Sequence, residues 1–129
     1  MFFHSSSYTA NPIACAAAVA NLEIWREEPV RERIADLGQR QARRLAALTG
    51  VANKRQIGTI AAMEFPVRDG GYLASIGRQL LQHFRERDVL LRPLGNTVYV
   101  MPPYCILDDD LDAVYAAIGE FALETDSAE

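Results

Sequence analysis

The chain is short of lysine: of its thirteen basic residues, only Lys54 is one. Chemistry that needs an amine nucleophile therefore has a single candidate side chain. Basic charge is not in excess either. The formal net charge is -4 and the pI about 5.2, which leaves no electrostatic footprint for nucleic acid. No apolar run approaches the ~18 residues of a membrane span. The opening residues, Met1-Phe2-Phe3-His4-Ser5-Ser6-Ser7, lack the basic start and apolar centre of a secretory leader. Cysteines number two, Cys15 and Cys105, far apart and in unlike contexts. The expectation is two free thiols in a reducing cytoplasm. His4 and His83 fall in no His-x-x-x-His or Cys-x-x-Cys pattern, so no metal centre is expected. A nucleophile elbow and a glycine-rich phosphate loop are also missing, and Gly70-Gly71 is only a turn.

What is present is enough for one packed domain. Half of the 129 residues are hydrophobic and 23% are charged, which excludes a disordered chain. Asn11-Pro12 marks a helix start, with Asn as the cap and Pro at the first helical position. The alanine-rich stretch from Ile13 to Glu27 should be helical. Its apolar residues Ile13, Cys15, Ala17, Val19, Leu22, Ile24 and Trp25 cover nearly the whole circumference, the pattern of a helix packed on several sides. A second helix is expected from about Val30 to Leu48. Val30, Ile34, Leu37, Leu45 and Leu48 form its apolar face. Arg31, Arg33, Arg40, Arg43 and Arg44 are expected in solvent, and Gly50 ends the helix.

Val51 to Phe65 reads as one or two strands, with Gly58 at a bend or close approach. Pro66 and Arg68-Asp69-Gly70-Gly71 break the pattern. Leu73, Ile76, Leu80, Leu81 and Phe84 then share one helical face. Asp88–Leu91 and Thr97–Met101 are short strand candidates about a Gly95-Asn96 turn, which predicts a hairpin. Asp108-Asp109-Asp110 opens a last helix, where carboxylates suit the dipole. Its face is Leu111, Val114, Tyr115, Ile118 and Phe121, and residues 125–129 should fray. The order predicts an α+β layer: a small mixed or antiparallel sheet with helices on one face, preceded by a long helix.

Three features stand out chemically. Ser5-Ser6-Ser7-Tyr8-Thr9 precedes an N-capped helix, where hydroxyls and free N–H groups favour a phosphate; plain capping accounts for the pattern as well. An arginine in a rigid turn, as Arg92 is before Pro93, can grip a carboxylate with two parallel hydrogen bonds, although from the residues alone a surface arginine is the plainer reading. Tyr99-Val100-Met101-Pro102-Pro103-Tyr104 is a rigid corner that fixes its flanking tyrosines, or else a core edge.

These same residues carry a resemblance. Ser7-Tyr8-Thr9-Ala10-Asn11-Pro12-Ile13-Ala14-Cys15-Ala16-Ala17-Ala18 resembles the T-x-x-G-N-P-L-A-C-A-A-A segment of the class III, pyridoxal-phosphate-dependent aminotransferases. Leu91–Tyr104, with Arg92-Pro93-Leu94-Gly95 and Tyr99-Val100-Met101-Pro102-Pro103-Tyr104, resembles the branch of that class that serves biotin synthesis. The resemblance covers essentially the whole chain but only the C-terminal part of the family, whose members are around three times longer.

It implies a fold-type I transferase piece. Residues 1–28 would be a loop and helix of the large domain, and residues 29–129 the small C-terminal domain. The implied reaction moves an amino group from S-adenosylmethionine to 8-amino-7-oxononanoate, giving 7,8-diaminononanoate. The implied cofactor is pyridoxal 5'-phosphate, and the implied assembly a cytoplasmic homodimer with small-molecule substrates. Ser7 matches the threonine that bonds the cofactor phosphate across the dimer interface, and Ser6 its neighbour. Ser5 matches a glycine beside the substrate, so a side chain there is a departure. Arg92 matches the arginine that binds the substrate carboxylate, and Tyr99 a tyrosine near the same pocket. Ala10 replaces a usual glycine, a change of little consequence if its φ is negative. The family's Schiff-base lysine would lie upstream of Met1, which leaves no catalytic residue in this chain and an inactive isolated piece. The all-round apolar first helix would pack on large-domain elements that are absent here. Two other readings compete: another class III enzyme acting on an ω-amino acid or diamine, and a non-catalytic interaction domain.

Overall fold

A computed structural model describes residues 9–67, 71 and 73–126. The chain divides into two compact units, residues 1–32 and 33–129. In the first, α1 spans Pro12–Glu27. Asn11 caps it as expected: its Oδ1 accepts from Ile13 N at 3.0 Å and Ala14 N at 3.2 Å. Glu28 ends it in an extended conformation, because a residue before proline is pushed out of the helical region. None of the α1 residues is buried, and Ile13 is 81% exposed.

The second unit holds most of α2 (Val30–Ala47), then β1 (Ala52–Ile57), β2 (Ile60–Glu64), α3 (Ile76–Arg85), β3 (Thr97–Val100) and α4 (Asp108–Asp126). The strands form one antiparallel sheet in the order β1-β2-β3, so the α+β layer is as expected. Ala61 and Met63 of β2 and Val98 and Val100 of β3 are buried on one face, as period-two strands require. Ala62 pairs with Tyr99 on the other. The core joins Leu37 and Leu45 of α2, Leu80 and Phe84 of α3, and Leu111, Tyr115, Ile118 and Phe121 of α4. Phe65 and Phe121 meet edge to face at 5.2 Å.

The Val51–Phe65 stretch is thus two strands. Gly58, at φ 54, makes the turn between them, a conformation that glycine adopts without penalty. That turn docks on α2. Gly38 is needed there, since a Cβ on it would lie 3.2 Å from Gly58 O. Beside it the fully buried Gln41 donates to Thr59 O (2.7 Å) and Val100 O (3.2 Å) and accepts from the Tyr115 hydroxyl. One polar side chain therefore ties α2 to the β1–β2 turn, to β3 and to α4. Burial pushes the Tyr115 hydroxyl up to about 12.

Several expectations are corrected. Arg40 and Arg44 are not free in solvent: their side chains are only 13% and 17% exposed. Arg44 pairs with Asp112 at 2.6 Å and Asp108 at 2.8 Å, and Arg40 with Asp36 at 2.9 Å and Asp108 at 3.3 Å. The carboxylates that open α4 thus bind α2, and hydrogen bonds from Arg44 and then Arg40 hold the Asp108 carboxyl below its usual value. Asp88–Leu91 is not a strand. Asp88 takes φ 57 and Val89 N bonds Phe84 O at 2.9 Å, so the start of this stretch is the left-handed C-terminal turn of α3. The hairpin shrinks to a single bridge, Leu94↔Thr97, because Pro93 has no N–H to extend a ladder. Leu73 lies before α3 and is 91% exposed. Of the expected frayed end, residues 125 and 126 close α4, and 127–129 lie outside the described residues.

Candidate functional site

Gly95 and Asn96 form a two-residue turn closed by Leu94 N to Thr97 O at 2.8 Å and Thr97 N to Leu94 O at 3.1 Å. Gly95 has φ 62, the positive value that such tight turns demand at their first position. Arg92 lies two residues before the bridge and Tyr99 two residues after it, on the two limbs of the turn. Arg92 is exposed and Tyr99 half-buried. Arg92 makes no hydrogen bond or ion pair with a described residue, whereas Arg40, Arg44, Arg55 and Arg87 are each matched to a carboxylate. A guanidinium without a carboxylate partner among the described residues can receive an anionic ligand.

The turn is pinned on two sides. Asn96, 7% exposed, donates from Nδ2 to Phe65 O at 2.9 Å and accepts at Oδ1 from Gly71 N at 2.7 Å. Its own carbonyl accepts from Phe65 N at 2.9 Å. The start of α3 presses on the turn so closely that a Cβ on Gly77 would lie 3.0 Å from Gly95 O. In the sequence Asn96 reads as a turn residue only. Its one signal was an amide beside glycine, and that does not say what the amide bonds.

Ser5, Ser6 and Ser7 lie outside the described residues. The nearby start of α1 is capped by Asn11, so its Ile13 and Ala14 N–H groups are taken. Ala10 has φ 54. The expectation that its replacement of glycine is harmless rested on a negative φ, and the structure has the opposite sign. Lys54 donates to Ala46 O at 3.2 Å and to Leu48 O, serving the C-terminal carbonyls of α2. Lys54, the one lysine of the chain, is thus engaged with backbone carbonyls. Cys15 and Cys105 are exposed free thiols. His83 is a core residue whose Nε2–H donates to Ala117 O at 2.8 Å, with its ring 5.0 Å from that of Phe121. Among the described residues no helix is long and apolar enough to cross a membrane.

The profile of the class-III aminotransferases matches residues 2–121. The chain belongs to that family. Among its class-III relatives, the adenosylmethionine-8-amino-7-oxononanoate aminotransferase of Synechococcus elongatus is 42% identical over 120 residues, 92% of this chain and 28% of that protein. The solved structure of the enzyme of that name from Methanocaldococcus jannaschii superposes with TM-score 0.71 at 31% identity, over 93% of this chain and 30% of that one. An amine transaminase from an uncultivated Pseudomonas species, in its PLP-bound form, superposes with TM-score 0.73 at 27% identity, over 91% of this chain and 28% of that one. The chain therefore spans less than a third of the length of these relatives.

Proposed function

We propose that the chain is the C-terminal part of a cytoplasmic, homodimeric aminotransferase that moves an amino group from S-adenosylmethionine to 8-amino-7-oxononanoate in biotin synthesis. Residues 1–28 belong to its large domain and residues 29–129 to its small one. The observation that supports this reading is Arg92, exposed and without a carboxylate partner among the described residues, on one limb of a pinned turn, in a chain whose relatives bear that enzyme's name. Arg92 binds the carboxylate of the amino-oxononanoate through its planar fork. Tyr99 lies along the apolar body of that substrate, and Ser5 borders it. Ser6 and Ser7 hold the phosphate of pyridoxal phosphate, Ser7 across the dimer interface. When bound, the cofactor supplies the electron sink and carries the amino group between the two substrates. Lys54 takes no part, and the isolated chain is inactive.

The test uses both the chain and the full-length protein that contains it. The purified chain, mixed with pyridoxal phosphate and reduced with borohydride, should show no stoichiometric adduct on Lys54 and no turnover. In the full-length protein, Arg92→Ala should lower kcat/KM for the amino-oxononanoate half-reaction by about 2–5 kcal/mol, the cost of losing a charge-assisted pair in a partly dry pocket. Arg92→Lys should restore little. The adenosylmethionine half should suffer less. No loss in either half would leave Arg92 a surface residue and sink the substrate assignment.

A further inference from the structure

We propose that Asn96 is a positioning residue for Arg92: its buried amide fixes the turn into which the Arg92 limb runs. The proposal rests on Arg92 binding the substrate carboxylate. Arg92 itself is exposed and unmatched among the described residues, so no described residue holds its head group. Its placement must come from the backbone. The limbs of the turn share only one bridge, Leu94↔Thr97, too little to set a geometry alone. Pro93 stiffens the Arg92 limb locally, and the buried Leu91 seats the near end of that limb in the core, while Tyr99 on the other limb is held by the β2–β3 ladder.

The far end of the Arg92 limb is attached by Asn96. Its Nδ2 and its carbonyl engage both backbone polar groups of Phe65, and its Oδ1 takes Gly71 N. The Gly95-Asn96 turn is thereby tied to the end of β2 and to the segment before α3. Phe65 is 1% exposed and packs edge to face on Phe121, so the tie ends in the core and not in a loop. Gly77 closes the other side, leaving no room for a Cβ between α3 and Gly95 O. A plain turn residue would have its side chain in water. Asn96 instead spends all of its described amide bonds inside the protein, next to the residues that receive the substrate.

The experiment measures the two half-reactions and the steady-state KM values in the full-length enzyme, with Arg92→Ala as reference. Asn96→Ala should raise KM for the amino-oxononanoate about tenfold to a hundredfold, the cost of a displacement on the order of 1 Å. Its effect on kcat and on the adenosylmethionine half should be small. Asn96→Asp keeps the acceptor toward Gly71 N and regains a donor toward Phe65 O only when protonated. Its KM, taken relative to the parent at each pH, should therefore fall as the pH is lowered, a response that a purely structural role would not produce. If Asn96→Ala does not fold, Gly77→Ala carries the test, because it pushes on Gly95 without touching the amide and should raise the same KM severalfold. An unchanged amino-oxononanoate KM in these variants, while Arg92→Ala raises it, overturns the proposal and leaves the substrate assignment standing. Equal losses in both half-reactions with a flat pH response in Asn96→Asp also overturn it. A flat Arg92→Ala overturns the assignment itself and the proposal with it.

Discussion

Replacing Gln41 by leucine keeps the side-chain volume and removes the three polar contacts this buried amide makes. Three buried groups then lose a partner: Thr59 O, Val100 O and the Tyr115 hydroxyl. A buried group left unpaired costs about 1–3 kcal/mol. The two carbonyls belong at the low end, since each has a second lone pair. Leucine returns about 1–2 kcal/mol through apolar burial at a site that is 0% exposed. The net expectation is a loss of about 2–3 kcal/mol. Urea unfolding of the purified chain, followed by circular dichroism, should show a lower midpoint with an unchanged slope. Tyr115→Phe alone should cost about 1–2 kcal/mol, because it strands Gln41 Oε1. The double variant should cost less than the sum of the two, with a coupling of about 1–2 kcal/mol. A Gln41→Leu variant as stable as the parent, or strict additivity in the cycle, would refute the account of Gln41 as the polar centre of this core.

Alkaline stability should bend at Tyr115. Its folded pKa is raised from 10.0 to about 12, so the stabilisation is complete below pH 10 and fades as the pH climbs through that window; Tyr115→Phe should flatten this limb in a pH series of unfolding midpoints. At the acid end the sign reverses. Asp108 has a lowered folded pKa, so its contribution is present above the ordinary value of 3.8 and is lost as the pH falls below it. The stability gap between the parent and Asp108→Asn should therefore close in acid, and added salt should narrow it at neutral pH. Ala10→Gly relieves a left-handed alanine, which costs about 1–2 kcal/mol, against a gain in unfolded-state entropy of about 0.4–1 kcal/mol. Amide exchange at the start of α1 should slow about two- to fivefold, and faster exchange there would count against strain at Ala10.

The local signals in the chain were enough for its elements. Asn11-Pro12 started α1, and the spacing of Leu111, Tyr115, Ile118 and Phe121 set the buried face of α4. Gly58 signalled a bend or close approach, which became the β1–β2 turn, and the Ser7–Ala18 and Leu91–Tyr104 motifs pointed to the family. These features depend on neighbours within a few residues, where capping, helical period and turn chemistry act, so one dimension suffices to read them. Only tertiary structure decided the rest. Arg40 and Arg44 were indistinguishable in sequence from the solvated Arg43, because their partner Asp108 lies more than sixty positions away. Gln41 was unreadable for the same reason, since its three partners come from a turn, a strand and a helix. Asp88–Leu91 had the composition of a strand, yet the C-terminal turn of α3 claimed its first residue and Pro93 denied it a ladder. Asn96 declared a turn, but which backbone groups its amide would satisfy depended on Phe65 and Gly71 arriving beside it. A buried polar group must be paired wherever the chain brings it. The sequence states that requirement, and the fold selects the partner.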